Sequence, residues 1–159
     1  MPDMLVRLTD LPPVQEAFEC RTGQTVSVRR AMTYEQGQVL RWIGQMFSPA
    51  WADECRTAFG SHPVGCFIAI AKGDPIGFCC YDVTLRGFAG PIGVASKWQR
   101  SGIGRTLLVA VLNAMRSAGY GYAIIGNVAS PGFFERACGA VVIESTKRDI
   151  YPGKLLTRD

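Results

Sequence analysis

At 159 residues the chain has the length of about one domain. Hydrophobic residues make up 48% and charged residues 19%, which excludes intrinsic disorder as the main state and supplies a core without metal or disulfide staples. The formal net charge of +4 suits a phosphate-bearing ligand, but no basic run interleaved with aromatics points to nucleic acid.

Taken in chain order, residues 1–24 read as an N-terminal extension. Pro12 and Pro13 open a stretch, 14–20, expected to make one or two helical turns before Gly23. Residues 25–30, T-V-S-V-R-R, alternate with period two and read as a strand. Thr33 and Gln36 have capping-box spacing, and Val39, Leu40, Ile43, Met46 and Phe47 supply the apolar stripe of the helix that follows. Ser48 and Pro49 start a second helix, closed by Gly60. Residues 64–71 and 76–84 form a hairpin about Lys72-Gly73-Asp74-Pro75. A strand over 87–95 contains Pro91, which cannot donate to a ladder and so marks an edge, a bulge or a splayed gap.

Residues 104–118 form a helix with almost no polar face, expected to lie buried against a sheet. Residues 122–128 are apolar throughout most of their length, as at a sheet centre. Ser130-Pro131 caps a short helix to Cys138, and 141–145 make a last strand. The order β, α, α, β, β, β, α, β, α, β is mixed α/β on one sheet, in one domain.

The longest uncharged apolar stretches, 64–71 and 107–112, fall far short of the ~20 residues of a membrane span. The N-terminus shows no secretory h-region. The six cysteines form no C-x-x-C pair, and Cys79 and Cys80 point to opposite faces of one strand. With one histidine, His62, no zinc spacing exists and no metal is expected. Reduced thiols in a cytoplasmic protein fit this pattern.

The chemistry concentrates between Gly90 and Leu108, where a strand ends, a basic glycine-rich loop follows and a long helix begins. Helix-initial N–H groups and the dipole favour an anion, and Lys97, Arg100 and Arg105 add charge there. This is a phosphate or pyrophosphate site. It lacks the G-x-x-x-x-G-K-[ST] of a P-loop. It also lacks the third glycine of G-x-G-x-x-G, since Leu107 stands there.

What stands here is Gln99-x-x-Gly102-x-Gly104, five residues after Val94 of a strand written Ile92-x-Val94. With the later Asn127 and the segment Phe133-Phe134-Glu135-Arg136 before Gly139, the chain resembles the GNAT superfamily of acetyl-CoA-dependent N-acetyltransferases over roughly residues 25–145. The resemblance implies an α+β domain over 25–159: a mostly antiparallel mixed sheet flanked by helices, with strands 87–95 and 122–128 splayed around the cofactor. It implies that Gln99, Arg100, Ser101, Gly102, Ile103, Gly104, Arg105 and Thr106 hold the CoA pyrophosphate. Ile92, Gly93 and Val94 would meet the pantetheine arm and thioester, with the Ile92 N–H as oxyanion donor, and Asn127 and Phe134 would flank the other side. Acetyl-CoA is the implied co-substrate and a small-molecule amine or amino acid the implied acceptor. The alternatives are a protein or peptide amine, and a CoA-binding regulatory module without catalysis.

The chain departs from the family pattern at Phe134, where many members carry a tyrosine thought to protonate the thiolate. Tyr151, Tyr122 or Cys138 could replace it, as could water, or the thiolate could leave unassisted. The run Arg136-Ala137-Cys138-Gly139 is also one residue longer than the common K-x-G.

An acceptor amine must lose a proton, and Asp82 is the base candidate, ahead of Glu54 and Asp53. Phe47, Trp51 and Tyr81, with Trp98, are candidates for an acceptor pocket. A His62–Cys66 dyad has no supporting motif. Residues 1–24 are expected to cover an apolar face or serve a homodimer contact.

Overall fold

A computed structural model describes residues 1–144 and 150–156. Its elements are β1 (Met4–Arg7), β2 (Ala17–Glu19), β3 (Thr25–Arg30), α1 (Gln36–Met46), α2 (Pro49–Arg56), β4 (Cys66–Ala71), β5 (Asp74–Tyr81), β6 (Ala89–Val94), α3 (Ile103–Ser117), β7 (Tyr122–Ile125), α4 (Pro131–Cys138) and β8 (Val141–Val142). The strands form an antiparallel sheet ordered β2-β3-β4-β5-β6 and a second ordered β7-β1-β8. The single sheet expected from sequence is therefore two. They meet at one parallel bridge, Phe88 to Ile124, where the Ile124 N–H donates to the Gly87 carbonyl at 2.9 Å.

Helix α3 covers one face. Its Leu107, Leu108, Val111, Leu112 and Met115 are at most 1% exposed, each such burial contributing about 1.5–3 kcal/mol of transfer free energy. Helices α1 and α2 cover the other face with Val39, Leu40, Ile43, Ala52 and Cys55. Cys79 joins the core under α3 and Cys80 the core under α1 and α2, as strand alternation requires. All six cysteines are free thiols, and burial raises those of Cys79 and Cys80 well above the ordinary range.

Several expectations need correction. Residues 1–24 are not set apart from the domain. β1 is the middle strand of its sheet, pairing β7 and β8, and Met4, Val6 and Leu8 are buried in the α3 core. Residues 14–20 contain no helical turn. Ala17–Glu19 pairs β3 instead, because alternation there is satisfied by the open edge of β3. Thr33 is not the cap of a capping box. It opens a 3₁₀ turn, in which the Met32 N–H donates to the Glu35 carboxylate at 2.8 Å and the Glu35 N–H to the Met32 carbonyl at 2.9 Å, with no side-chain cap from Thr33 or Met32. β7 is an edge strand of its sheet, not a centre, with Tyr122 exposed. In the last strand, expected over 141–145, β8 covers Val141–Val142, and Ser145 lies outside the described residues.

The helix starts read from sequence hold where a cap is made. Ser48 Oγ accepts from the Trp51 N–H at 3.1 Å with Pro49 at the first position, whereas Ser130, expected to cap α4, makes no side-chain cap bond and Pro131 alone marks that start. β5 stops at Tyr81 because Asp82 turns left-handed, at φ 57°, and its N–H donates to the Phe88 carbonyl at 3.0 Å. Pro91 lies on β6, the edge of the five-stranded sheet.

Candidate active site

The loop between β6 and α3 is built by two left-handed residues, Arg100 at φ 60° and Gly102 at φ 87°. Such successive turns point backbone N–H groups into one concavity. The first bond of α3 runs from the Thr106 N–H to the Gly102 carbonyl at 3.0 Å. The N–H groups of Ile103, Gly104 and Arg105 therefore have no partner within the helix. A Cβ on Gly104 would lie 3.4 Å from Phe133 and 3.6 Å from Val94, so this helix start is wedged between the end of β6 and α4. Gln99 Nε2 donates to the Val94 carbonyl at 3.2 Å, Ser101 Oγ to the Trp98 carbonyl, and Thr106 Oγ1 to Gly102 at 2.9 Å. These bonds hold the loop in place. Arg100 and Arg105 stay exposed.

β6 offers an open edge to the same place. The Ala95 N–H donates to Ile76 at 2.9 Å, and the register pairs Gly93 with Phe78. By antiparallel alternation Gly93 bonds inward to β5, while Ile92 and Val94 turn their N–H groups outward. At Gly93 a side chain has no room: a Cβ would stand 2.7 Å from the Phe47 ring and 2.9 Å from Phe78.

Beyond the Phe88–Ile124 bridge the strands diverge, and a cavity of about 510 Å³ opens between Ala89–Ile92 on one side and Ile125–Ser130 on the other, with Phe134 reaching it from α4. Trp51 and Glu54 reach it from α2, with Thr84 and Tyr151. The Tyr151 hydroxyl donates to Asp3 Oδ1 at 3.0 Å, and the same oxygen accepts the Asn127 N–H at 2.9 Å. Asn127 is left-handed, at φ 51°. Tyr151 sits against Gly126 so closely that any Cβ there would overlap its hydroxyl. Glu54 Oε1 accepts from the Thr84 hydroxyl.

The sequence matches the model of the acetyltransferase (GNAT) family over residues 37–140, more than half of the chain. This chain belongs to the GNAT family. A GCN5-related N-acetyltransferase from Sphaerobacter thermophilus has a similar structure, with a TM-score of 0.68 at 18% identity, over 89% of this chain and 48% of that one. The chain thus spans about half the length of that neighbour. An aminoglycoside N-acetyltransferase, AAC(6')-Iy, in complex with CoA, aligns with a TM-score of 0.58 at 21% identity, over 83% of this chain and 96% of that one. Another, meta-AAC0020 from an uncultured soil metagenomic sample in complex with sisomicin, aligns at 0.57 and 14% identity, over 81% and 97%. These likenesses concern the fold. No curated protein matches the sequence.

This chain's family is one of acetyltransferases, which use acetyl-CoA. The residues of the chain fit that group: a glycine cradle at a helix start, outward N–H groups on a strand edge, and a cavity where two strands part. The loop residues expected from sequence, Gln99–Thr106, and the strand residues Ile92, Gly93 and Val94 lie together at this junction. Asn127, Phe134, Trp51 and Tyr151 line the cavity.

Three expected site residues do not join them. Asp82, the base candidate, is absent from the lining among the described residues. Its carboxylate accepts the Gly87 N–H at 2.7 Å and the Tyr120 hydroxyl at 2.8 Å, so one oxygen closes the 82–88 turn and the other ties it to Tyr120. Phe47 packs beneath Gly93 among Trp42, Trp51 and Phe78, at centroid distances of 5.4–5.6 Å from three rings. Tyr81 is 7% exposed, and its hydroxyl accepts from Arg30 at 2.8 Å. Of the other named candidates, Tyr122 is exposed on β7, Cys138 donates to the Phe134 carbonyl at 3.2 Å, and Asp53 stands 3.7 Å from Arg56.

Sequence reasoning passed over Asp3 and Thr84, and ranked Glu54 behind Asp82. No local signal marks Asp3, whose two bonds span 124 and 148 positions. Among the described residues no group of three or more His, Cys, Asp or Glu could hold a metal, and no helix is long and apolar enough to cross a membrane.

Proposed function

We propose that the chain transfers an acetyl group from acetyl-CoA to a primary amine of a small molecule by direct attack. The observation that carries this reading is the divergence of β6 from β7 beside the start of α3. It leaves outward N–H groups at Ile92 and Val94, helix-initial N–H groups at Ile103–Arg105, and a cavity between them and α2. Acetyl-CoA supplies an activated thioester.

In this reading the N–H groups of Gly102 to Arg105 hold the pyrophosphate, with Gln99, Ser101 and Thr106 fixing the loop and Arg100 and Arg105 adding charge. The Val94 N–H receives the pantetheine arm as a strand partner would. The Ile92 N–H donates to the thioester oxygen as negative charge develops there, a role that costs about 3–4 kcal/mol when such a donor is removed elsewhere. Asn127 and Phe134 flank the opposite side. The Tyr151 hydroxyl, held by Asp3, gives its proton to the departing sulfur. An amine of pKa ~10 enters mostly protonated, and its proton leaves to water. The two aminoglycoside acetyltransferase neighbours, which align over most of their own length, support a small-molecule acceptor.

The test is thiol release from acetyl-CoA against a panel of amines, amino acids and peptides, corrected for the six cysteines of the chain. Amine-dependent release is expected. CoA binding without release across the panel would instead favour a regulatory module.

A further inference from the structure

Asp82 lies outside the cavity, yet the bonds it makes lead to the cavity wall. It follows β5 with left-handed backbone and opens the turn 82–88. Its carboxylate accepts the Gly87 N–H at 2.7 Å, and its own N–H donates to the Phe88 carbonyl at 3.0 Å. Those two bonds close the turn on itself. The third, from the Tyr120 hydroxyl to the other carboxylate oxygen at 2.8 Å, ties the turn to the segment between α3 and β7. The turn in its turn supplies cavity wall. Thr84 lines the cavity and its hydroxyl meets Glu54 of α2. Phe88 also lines it, and a Cβ on Gly126, in the facing wall, would stand 3.2 Å from the Phe88 ring. Gly87, held by Asp82, gives its carbonyl to the Ile124 N–H at 2.9 Å, at the bridge between the two sheets.

We propose that Asp82 is a positioning residue for the acceptor: by anchoring the turn 82–88 to Tyr120 it sets where Thr84, Glu54 and Phe88 stand, and so how the amine meets the thioester. Hydrogen bonds to a carboxylate are stronger than neutral ones, so a single side chain can fix the turn. The CoA cradle is held by other means, since Gln99, Ser101 and Thr106 bond within 94–106. Loss of Asp82 therefore acts on the acceptor and spares CoA. Small misplacements of a bound reactant are costly to the rate. They also let water compete for the thioester: acetyl-CoA and water give acetate, CoA and a proton, where acetyl-CoA and the amine give the amide, CoA and a proton. This rests on the transferase reading above.

The experiment compares the full chain as wild type, Asp82→Ala, Asp82→Asn and Tyr120→Phe, with the best amine of the panel as acceptor. Rates are counted per CoA-binding site, from calorimetric titration, and CoA release is measured beside amine acetylation. Asp82→Ala should lower kcat/KM for the amine by about 10–100-fold, with CoA affinity within about twofold of wild type and CoA release exceeding acetylation at least about twofold. Asp82→Asn still offers an oxygen to Gly87 and an amide to Tyr120, and should restore all three to within about threefold of wild type. Tyr120→Phe keeps the Gly87 bond and should lose about three- to tenfold in kcat/KM for the amine. A residue that serves only the fold would lower the number of CoA-binding sites and leave kinetics per site and the ratio of release to acetylation at wild-type values. That result overturns the inference, as does CoA affinity falling in step with kcat/KM for the amine, and both leave the transferase standing. Should Asp82→Ala not fold, Tyr120→Phe decides by the same two readouts. No amine-dependent release from the wild type overturns both readings.

Discussion

Gly104→Glu separates the fold's needs from the ligand's. Gly104 has ordinary helical backbone, and a Cβ there meets its nearest neighbours, Phe133 and Val94, at 3.4 and 3.6 Å, so a side chain fits. Replacing glycine inside a helix contributes about 0.5–1 kcal/mol. An acid in the first turn contributes a further ~0.3–1 kcal/mol through the helix dipole. The unliganded variant should therefore melt higher by roughly 2–6 °C for a domain of this size. The same carboxylate stands where the pyrophosphate is proposed to bind. At a separation of about 5 Å and an effective dielectric near 20, one unit charge costs ~3 kcal/mol, a loss of roughly 10²–10³-fold in CoA affinity. Thermal unfolding without ligand and calorimetric titration with CoA read the two effects separately. Gly104→Gln, with the same length and no charge, should keep the propensity part of the stability gain, fall short of Glu by the ~0.3–1 kcal/mol of the dipole interaction, and lose about tenfold in affinity. Glu binding CoA within threefold of wild type, or Gln and Glu weakened alike, would refute the electrostatic cradle.

Other perturbations follow from the same geometry. Tyr151→Phe should lower kcat roughly 10²-fold with the KM for acetyl-CoA within twofold, and an unchanged kcat would mean the sulfur leaves without this hydroxyl. Tyr120 donates to the Asp82 carboxylate, which holds its hydroxyl protonated and raises it above the usual tyrosine range. A folded value above the unfolded one gives stability that is complete below about pH 10 and is lost as pH rises through the folded value. Denaturant unfolding should therefore show wild type losing stability more steeply above pH ~10 than Tyr120→Phe. Met4→Ala removes a fully buried side chain from the middle strand of the second sheet. It should cost about 2–5 kcal/mol, whereas a substitution in a detached extension would stay near 0.5 kcal/mol or below.

What could be read from sequence was local, and what was missed was long-range. Helix α3 declared itself through an apolar run with glycines at both ends, and the hairpin β4–β5 through Lys72-Gly73-Asp74-Pro75. The cradle was legible because its parts, Val94, Gln99, Gly102 and Gly104, are covalently close. β1 was not, since Met4–Arg7 is only four residues long and its burial depends on partners at 122–125 and 141–142. No window of sequence around residue 4 contains the reason it is a central strand. The partners of Asp82 were hidden for the same reason. Its two donors are Gly87, nearby, and Tyr120, 38 positions away, and without the second the carboxylate looked unoccupied.

The placement of β1 has a consequence for the site itself. Asp3 precedes the strand and its carboxylate holds both Asn127 and Tyr151, while the Pro2 carbonyl accepts from Val128 at 2.8 Å and the Asp3 carbonyl from Ile143 at 2.9 Å. The far wall of the cavity, 126–128, is thus pinned from the N-terminus and not from β6. On the near wall, Ile92 and Val94 are held by β5 through Gly93, which the rings of Phe47 and Phe78 keep free of a side chain. Each wall is fixed by its own sheet, and past the Phe88–Ile124 bridge no described ladder bond closes the gap between them. Two sheets that share one bridge leave a strand edge unsatisfied at the depth where an extended ligand can take the place of the missing strand. The start of α3 lies at one end of that gap and Glu54 lines the cavity within it. The unpartnered N–H groups at the start of α3 and the carboxylate of Glu54 thereby stand at separate places along one cleft.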